Sequence, residues 1–376
     1  MAVKPAARAL LTWYRKNRRT LPWRPGRDPY RVWVAEIMLQ QTRAETVAPY
    51  YLRWIERFPT LASLAGASDS QVLRSWEGLG YYRRALALRD GARRVVADHG
   101  GALPREPSAL LRLPGIGAYT AAAIGALAFG RDEIALDGNL RRVLSRLSNL
   151  EIDPRRPEGT RRLTAYARAI LPSGRAADFN QALMDLGSLV CLPREPRCPK
   201  CPLAKWCAAR RAGVASERPI RMRRKPVPRR VATAGVLRRG GRVLIARRPP
   251  GKLLGGLWEF PGGKRRSRES LQACLRRELK EELGVDVAVT RPLGQVRHAY
   301  SHFHVLVHVY GCRLLHGKPA PLEHRALRWA APAQLRRYPM GKVARTIARA
   351  LVSGETLAPG SSGIPRRRTR VRKGQG

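Results

Sequence analysis

A chain of 376 residues is long enough for two or three domains, each with its own core. Lysine and arginine outnumber aspartate and glutamate by 73 to 27, a formal charge of +46 that points to a polyanionic partner, although an arginine-rich genome accounts for part of the excess. The apolar stretch 6–13 is broken by Arg8, so neither a signal peptide nor a membrane span is expected there. A soluble, intracellular protein with no membrane partner is expected. Four of the six cysteines crowd between 191 and 207, a pattern for a metal site in a reducing compartment rather than for scattered disulfides.

In chain order, residues 5–20 read as a helix and Leu21-Pro22-Trp23-Arg24-Pro25 as an ordered turn. Asp28 before Pro29 is a helix cap with proline at the first helical position. The helix it opens, predicted over 30–51, sets Val32, Glu36, Leu39 and Gln40 on adjacent turns, so one carboxylate lies on an apolar stripe. Lost hydration there predicts a raised pKa, as a general acid near neutral pH requires; alone, Glu36 would read as a surface glutamate. Helices follow over 45–57, 69–77, 82–98 and 108–112, with Gly78-Leu79-Gly80-Tyr81-Tyr82 as a bend carrying two rings. Such rings can stack on bases, although at helical spacing aromatics usually belong to a core.

The chain is organised around residues 113–142. Pro114-Gly115-Ile116-Gly117 makes a tight turn without a Cβ at two positions, and 118–129 is strongly helical. The turn aims free backbone N–H groups at an anion, so this helix start can hold a phosphate without a cationic side chain, anchored by Leu113 and Ile116. Asp137-Gly138-Asn139 opens the next helix, over 139–148, with Asp137 as its N-cap. A carboxylate at that position is expected to stay ionised and to suit a partner that becomes cationic during reaction. Helices over 160–171 and 176–190 then lead to Cys191-x6-Cys198-x2-Cys201-x5-Cys207. Four thiolates within seventeen residues make a closed site for zinc or a cubane iron–sulfur cluster; only the central pair has the short spacing of a zinc knuckle, and the long arms favour the cluster. The loop offers Arg194, Arg197, Lys200 and Lys205 to phosphates.

Residues 208–230, rich in proline and arginine, read as a linker. Strands follow at 231–237, 242–248 and 257–260. From Gly263 the sequence satisfies G-x5-E-x7-R-E-U-x-E-E-x-G-U, with U aliphatic, through Gly263, Glu269, Arg277, Glu278, Glu281, Glu282 and Gly284. On a helix, Glu278, Glu281 and Glu282 share one face able to hold Mg²⁺ against a diphosphate. Strands near 293–298 and 303–314 and a helix near 341–351 complete this region, and the residues after Gly354 read as a disordered basic tail.

Taken together, LPWR (21–24), AEIMLQQT (35–42), GLGYYRRA (78–85), LPGIGAYTA (113–121), LDGN (136–139), NQALMDLG (180–187), the four cysteines and HAYSH (298–302) resemble the adenine DNA glycosylases of the MutY family, over about residues 10–350. The resemblance implies an all-α helix-hairpin-helix glycosylase core with a [4Fe-4S] loop, residues 1–207, followed by an α+β Nudix-like domain, residues 231–353, with 208–230 between them and 354–376 as the tail. It implies double-stranded DNA carrying adenine opposite 8-oxoguanine or guanine as the partner. Glu36 would protonate the purine at N7 and assist water, and Asp137 would stabilise the oxocarbenium ion, with Tyr119 and Asn139 supporting them. Trp23, Arg24 and Gln181 match the adenine pocket; Gln41 and Tyr81 match residues inserted into the duplex, and Gly115 and Gly117 the DNA-binding hairpin. Tyr300, Ser301 and His302 match the loop that reads 8-oxoguanine, with Tyr in place of the family's Phe. Bifunctional glycosylase/lyases carry a lysine nucleophile where this chain has Tyr119, so base removal without strand cleavage is expected. One departure stands out: the family's Nudix box is usually degraded, whereas here it is intact. An alternative therefore adds hydrolysis of oxidised nucleoside triphosphates, with Mg²⁺ at Glu278, Glu281 and Glu282.

Overall fold

The computed structural model describes residues 3–220 and 226–357; the expected basic tail lies, from residue 358 onward, outside the described residues. The chain divides into two compact units, 1–68 with 84–224, and 69–83 with 225–376.

The first unit is helical. It contains α1 (Val3–Asn17), α2 (Pro29–Leu39), α3 (Ala44–Arg57) and α4 (Leu61–Ala65), and after the segment carrying α5 (Asp69–Ser75) continues with α6 (Arg83–Asp98), α7 (Pro107–Leu111), α8 (Ala118–Leu127), α9 (Gly138–Leu147), α10 (Pro157–Ile170), α11 (Ala176–Leu189) and α12 (Ala208–Arg211). Leu10 and Leu11 of α1, Leu140 and Leu144 of α9, Leu163 of α10 and Leu183 and Leu186 of α11 pack into one core. Burial of these leucines, at about 1.5–3 kcal/mol each, drives the assembly. The helix expected over 30–51 is two helices. It stops at Leu39 because the Arg84 guanidinium takes the carbonyls of Ile37, Met38 and Gln40, and Gln41 then turns into the left-handed region at φ 60°. The unanticipated α4 is short, but Thr60 and Ser63 cap it reciprocally. Residues 208–220, read as the start of a linker, include α12 and a turn after it.

The second unit is built on a mixed sheet of β1 (Arg229–Arg239), β2 (Arg242–Arg247), β3 (Trp258–Glu259), β4 (Asp286–Ala299), β5 (His304–His316) and β6 (Ala326–Ala330). The order is β3-β2-β1-β5-β4 with β6 also paired to β2; only β1 and β5 run parallel. Leu275, Leu279 and Leu283 of α13 (Leu271–Leu283) cover one face, and Ile347 and Ala348 of α14 (Lys342–Ser353) belong to the core on the other. β6 was not anticipated, and β4 starts at Asp286, seven residues before the expected 293; bulges between Val289 and Gly294 break the alternation that would have revealed it. Segment 69–83 groups here although its sequence reads with the helical half. Its Glu77 carboxylate takes both Arg345 Nε, at 2.5 Å, and Nη2, at 2.9 Å.

Candidate active site

Asp28 caps α2 by accepting Arg31 N–H at 2.7 Å, and this start fixes the phase that turns Glu36 inward, 3% exposed, among apolar neighbours. Burial pushes its pKa up to about 7, eased by a hydrogen bond from Tyr119 and reinforced by the charge of Asp137. That bond, from Tyr119 Oη to Glu36 Oε2, is 2.5 Å long. Tyr119 reaches it from the first turn of α8, whose N-cap is Gly117; Gly115 just before takes φ 79°, where an L side chain is strained. Both glycines are exposed, so the hairpin backbone faces outward.

Asp137 caps α9, accepting Leu140 N–H at 2.7 Å and Asn139 Nδ2 at 2.9 Å. The expectation that the helix start governs this group needs correction. Burial of the carboxyl dominates and raises its pKa, against the pull of the Leu140 and Asn139 donors. Asn139 is oriented in turn by Arg142 Nη2, 2.8 Å from its Oδ1, and Arg142 also donates to the carbonyls of Cys191 and Gly187, each at 2.7 Å. Sequence reasoning missed Arg142; one more arginine in a chain this basic carries no signal.

A cavity beside Glu36 is lined by Trp23, Arg24, Leu39, Gln181 and Met184. Arg24 is locked against both oxygens of Asp185, at 2.8 and 2.9 Å, and Arg19 joins it at 2.7 Å. Burial alone would push the Asp185 carboxyl up, but the two arginines hold it below the usual range. Asp185 was also missed as a site residue, although it follows Gln181 by one helical turn. Gln41 and Tyr81 are exposed and share a left-handed backbone, at φ 60° and 49°. Gln40 bonds Thr120 Oγ1 at 3.2 Å instead of facing out.

Cys191, Cys198, Cys201 and Cys207 line one cavity with Leu186 and Val190. Arg146, 2% exposed, donates to Cys191 Sγ at 3.2 Å and accepts through its carbonyl from Cys207 Sγ at 3.3 Å. Among the described residues no three His, Cys, Asp or Glu side chains gather as ligands of one ion.

The pattern of the HhH-GPD superfamily of base excision DNA repair proteins matches residues 34–169, and that of a NUDIX domain matches residues 233–350. The adenine DNA glycosylase of Homo sapiens is 35% identical over 378 residues, 85% of this chain and 69% of that protein, and the adenine DNA glycosylase of Mus musculus is 36% identical, over 85% and 72%. The chain belongs to the adenine DNA glycosylase family. Among solved structures, a thermostable thymine-DNA glycosylase aligns with 55% of the chain and 95% of its own length at 33% identity and a TM-score of 0.51. This adenine DNA glycosylase is thus an enzyme of base excision repair, a helix-hairpin-helix core followed by a Nudix-like domain. None of its described helices is long and apolar enough to cross a membrane.

In the Nudix-like unit of this adenine DNA glycosylase, Arg277 bridges Glu269, Glu278 and Glu281 at 2.7–2.9 Å. Gly263 leaves room for Glu278, since a Cβ there would lie 2.1 Å from its Oε2. Glu282 accepts Gly262 N–H at 2.9 Å, and burial lifts its pKa to about 7. It lines a cavity together with Glu259, Trp258, Tyr300 and Phe303. The turn between β4 and β5 is closed by Tyr300 N–H to Phe303 O at 2.9 Å; it exposes Ser301 and His302, joined Oγ to Nδ1 at 2.9 Å, while Tyr300 packs edge-on against His298.

Proposed function

We propose that this glycosylase hydrolyses the N-glycosidic bond of adenine opposite 8-oxoguanine or guanine in duplex DNA and leaves an abasic site uncleaved. The observation that carries the reading is Glu36: a carboxyl buried on a cavity wall with a pKa of about 7, hydrogen-bonded by Tyr119 and within the field of Asp137. Such a group is protonated for a useful fraction of the time at neutral pH and can donate to a purine nitrogen, making the base a better leaving group. Asp137, fixed by its cap bonds and by Asn139, supplies negative charge where the sugar turns cationic. The target base must leave the stack, and Trp23, Arg24 and Gln181 would receive it. Gln41 and Tyr81, exposed on strained backbone, suit residues that enter the duplex, and the Gly115–Gly117 turn suits a phosphate. Tyr119 offers no amine for a Schiff base, which favours hydrolysis over strand cleavage.

The four cysteines fit a [4Fe-4S] cluster: they surround a cavity rather than a point, and Arg146 offers positive charge to the thiolates. A cluster there would cross-link the loop that presents Arg194, Arg197, Lys200 and Lys205 to phosphates. Exposed Ser301 and His302, with Tyr300 behind them, suit recognition of 8-oxoguanine across the pair. The enzyme is read as a monomer acting on chromosomal DNA in the cytoplasm, with a glycosylase domain at 1–207, a linker at 208–230 and a lesion-reading domain at 231–353. The deciding experiment is single-turnover excision from a duplex with one adenine opposite 8-oxoguanine. Strand breaks only after alkali, lost in Asp137→Asn, are expected; breaks without alkali overturn the monofunctional reading.

A second reading rests on the intact carboxylate face, with Glu282 opening onto a cavity large enough to border Trp258, Tyr300 and Phe303. There Glu278, Glu281 and Glu282 would hold Mg²⁺ and the enzyme would also hydrolyse oxidised nucleoside triphosphates. Mg²⁺-dependent pyrophosphate release, absent in Glu281→Gln, supports it; no turnover across a broad nucleotide panel removes it.

A further inference from the structure

We infer that Tyr14, which lies outside the base cavity, fixes which way round the Gln181 amide faces and so sets which purine is accepted. The inference rests on the reading of Gln181 as a base-contacting residue. Tyr14 sits on α1, 5% exposed, and its hydroxyl donates to Gln181 Oε1 at 3.1 Å. It does not line the cavity that holds Trp23 and Glu36; it lines a neighbouring chamber, and Arg24 and Gln181 belong to the walls of both. The bond therefore comes from behind the wall, and Tyr14 acts on a bound base only through Gln181. The phenol is itself fixed, with the Arg24 guanidinium 5.7 Å from its ring centroid and that guanidinium clamped by Asp185. Burial raises the pKa of its hydroxyl, so the phenol keeps the proton it donates to Gln181 Oε1.

A glutamine amide reads in two ways, since its oxygen accepts, its nitrogen donates, and half a turn about the last bond exchanges them at little steric cost. With Oε1 engaged by Tyr14, the nitrogen is left to donate into the cavity. Adenine answers with an acceptor at N1 and, beside it, an amino group for the second lone pair of Oε1. Hypoxanthine inverts that edge, with N1–H a donor and O6 an acceptor. An anchored amide meets it donor against donor; a freed amide turns over and pairs. A buried polar mismatch of this kind discriminates strongly, so Tyr14 is a positioning residue for specificity.

The test uses the full cluster-loaded chain and two duplexes identical except for adenine or hypoxanthine opposite 8-oxoguanine, under single-turnover conditions. Tyr14→Phe keeps the ring beneath Arg24 and removes only the hydroxyl. It is expected to slow adenine excision about threefold to tenfold and to narrow the adenine-to-hypoxanthine rate ratio by about tenfold. Lost stability would slow both substrates and leave the ratio alone, so a ratio at or above the wild-type value, including no detectable gain on hypoxanthine, overturns the inference. In a Gln181→Ala background, Tyr14→Phe is expected to change the ratio no further; an additional change there also overturns it. If Gln181→Ala by itself leaves adenine excision and the ratio unchanged, it is the base-pocket reading that fails.

Discussion

Tyr119 and Glu36 come from helices far apart in sequence and meet through a single 2.5 Å hydrogen bond, phenol donating to a buried carboxyl. The phenol lowers the pKa of Glu36 and burial raises it, and burial prevails. Two pH dependences follow.

Excision that needs protonated Glu36 should fall as pH rises through about 7. Tyr119→Phe removes the contact that lowers the pKa, so the falling limb should move to higher pH, by up to about one unit, with a reduced maximum. Single-turnover rates from pH 5.5 to 9 check this; an unmoved limb in a folded variant shows that another group governs the profile.

The same shift bears on stability. A carboxyl whose pKa is higher folded than unfolded resists ionisation in the fold, so its cost is absent below about pH 4.5 and complete above about 7. Glu36→Gln should therefore be more stable than wild type at pH 8, by about 1–3 kcal/mol, with the gain vanishing near pH 4.5. Denaturant melts at the two pH values measure it. Glu282, raised to about 7 by burial in the other unit, should behave likewise as Glu282→Gln.

Asp137→Asn keeps a good N-cap residue at the start of α9, and its cost in stability should stay below about 1 kcal/mol. Turnover should fall by about a thousandfold or more if Asp137 supplies the charge proposed to face the cationic sugar. Unchanged affinity for the duplex together with lost excision is the expected pair of results. A parallel loss of binding would mean that Asp137 organises the DNA surface instead.

Gly263→Ala would place a methyl 2.1 Å from Glu278 Oε2 and force that carboxylate aside. If the Nudix face holds Mg²⁺, calorimetric Mg²⁺ binding should weaken at least about tenfold, while adenine excision stays near wild type. Equal Mg²⁺ binding in both proteins speaks against a metal held there.

If the four cysteines hold the proposed cluster, its loss should loosen more than the cysteine loop. Cys191→Ser is expected to lower the thermal midpoint and, through Arg142, which holds Asn139 and the Cys191 carbonyl together, to reduce excision beyond its effect on DNA affinity. Excision that declines only in step with binding would confine the cluster to DNA contact.

The burial of Glu36 was legible from the period of one helix and the N-cap position of Asp137 from its local sequence, because those signals are local, whereas the roles proposed for them came from the family resemblance. What escaped depends on partners distant along the chain. Gln41 is thrown into the left-handed region because Arg84 gathers the last carbonyls of α2, and nothing between 36 and 45 announces that arginine. Arg142 and Tyr14 look like an ordinary helical arginine and a core ring until α11 brings Gly187 and Gln181 to them. In the sheet, β4 hid behind its own bulges, and β6 shows no strand until it pairs with β2.

Where α9 and α11 cross, a Cβ on Gly187 would lie 2.7 Å from that of Asn139 and 3.2 Å from Arg142 Nη2, so the bare glycine lets the α11 backbone press directly on those two side chains. At that point there is no slack to absorb a displacement. A shift of α11 is handed directly to Asn139 and through it to the Asp137 carboxylate. If Asp137 faces the sugar as proposed, even a single methyl at 187 would arrive there as a change of aim.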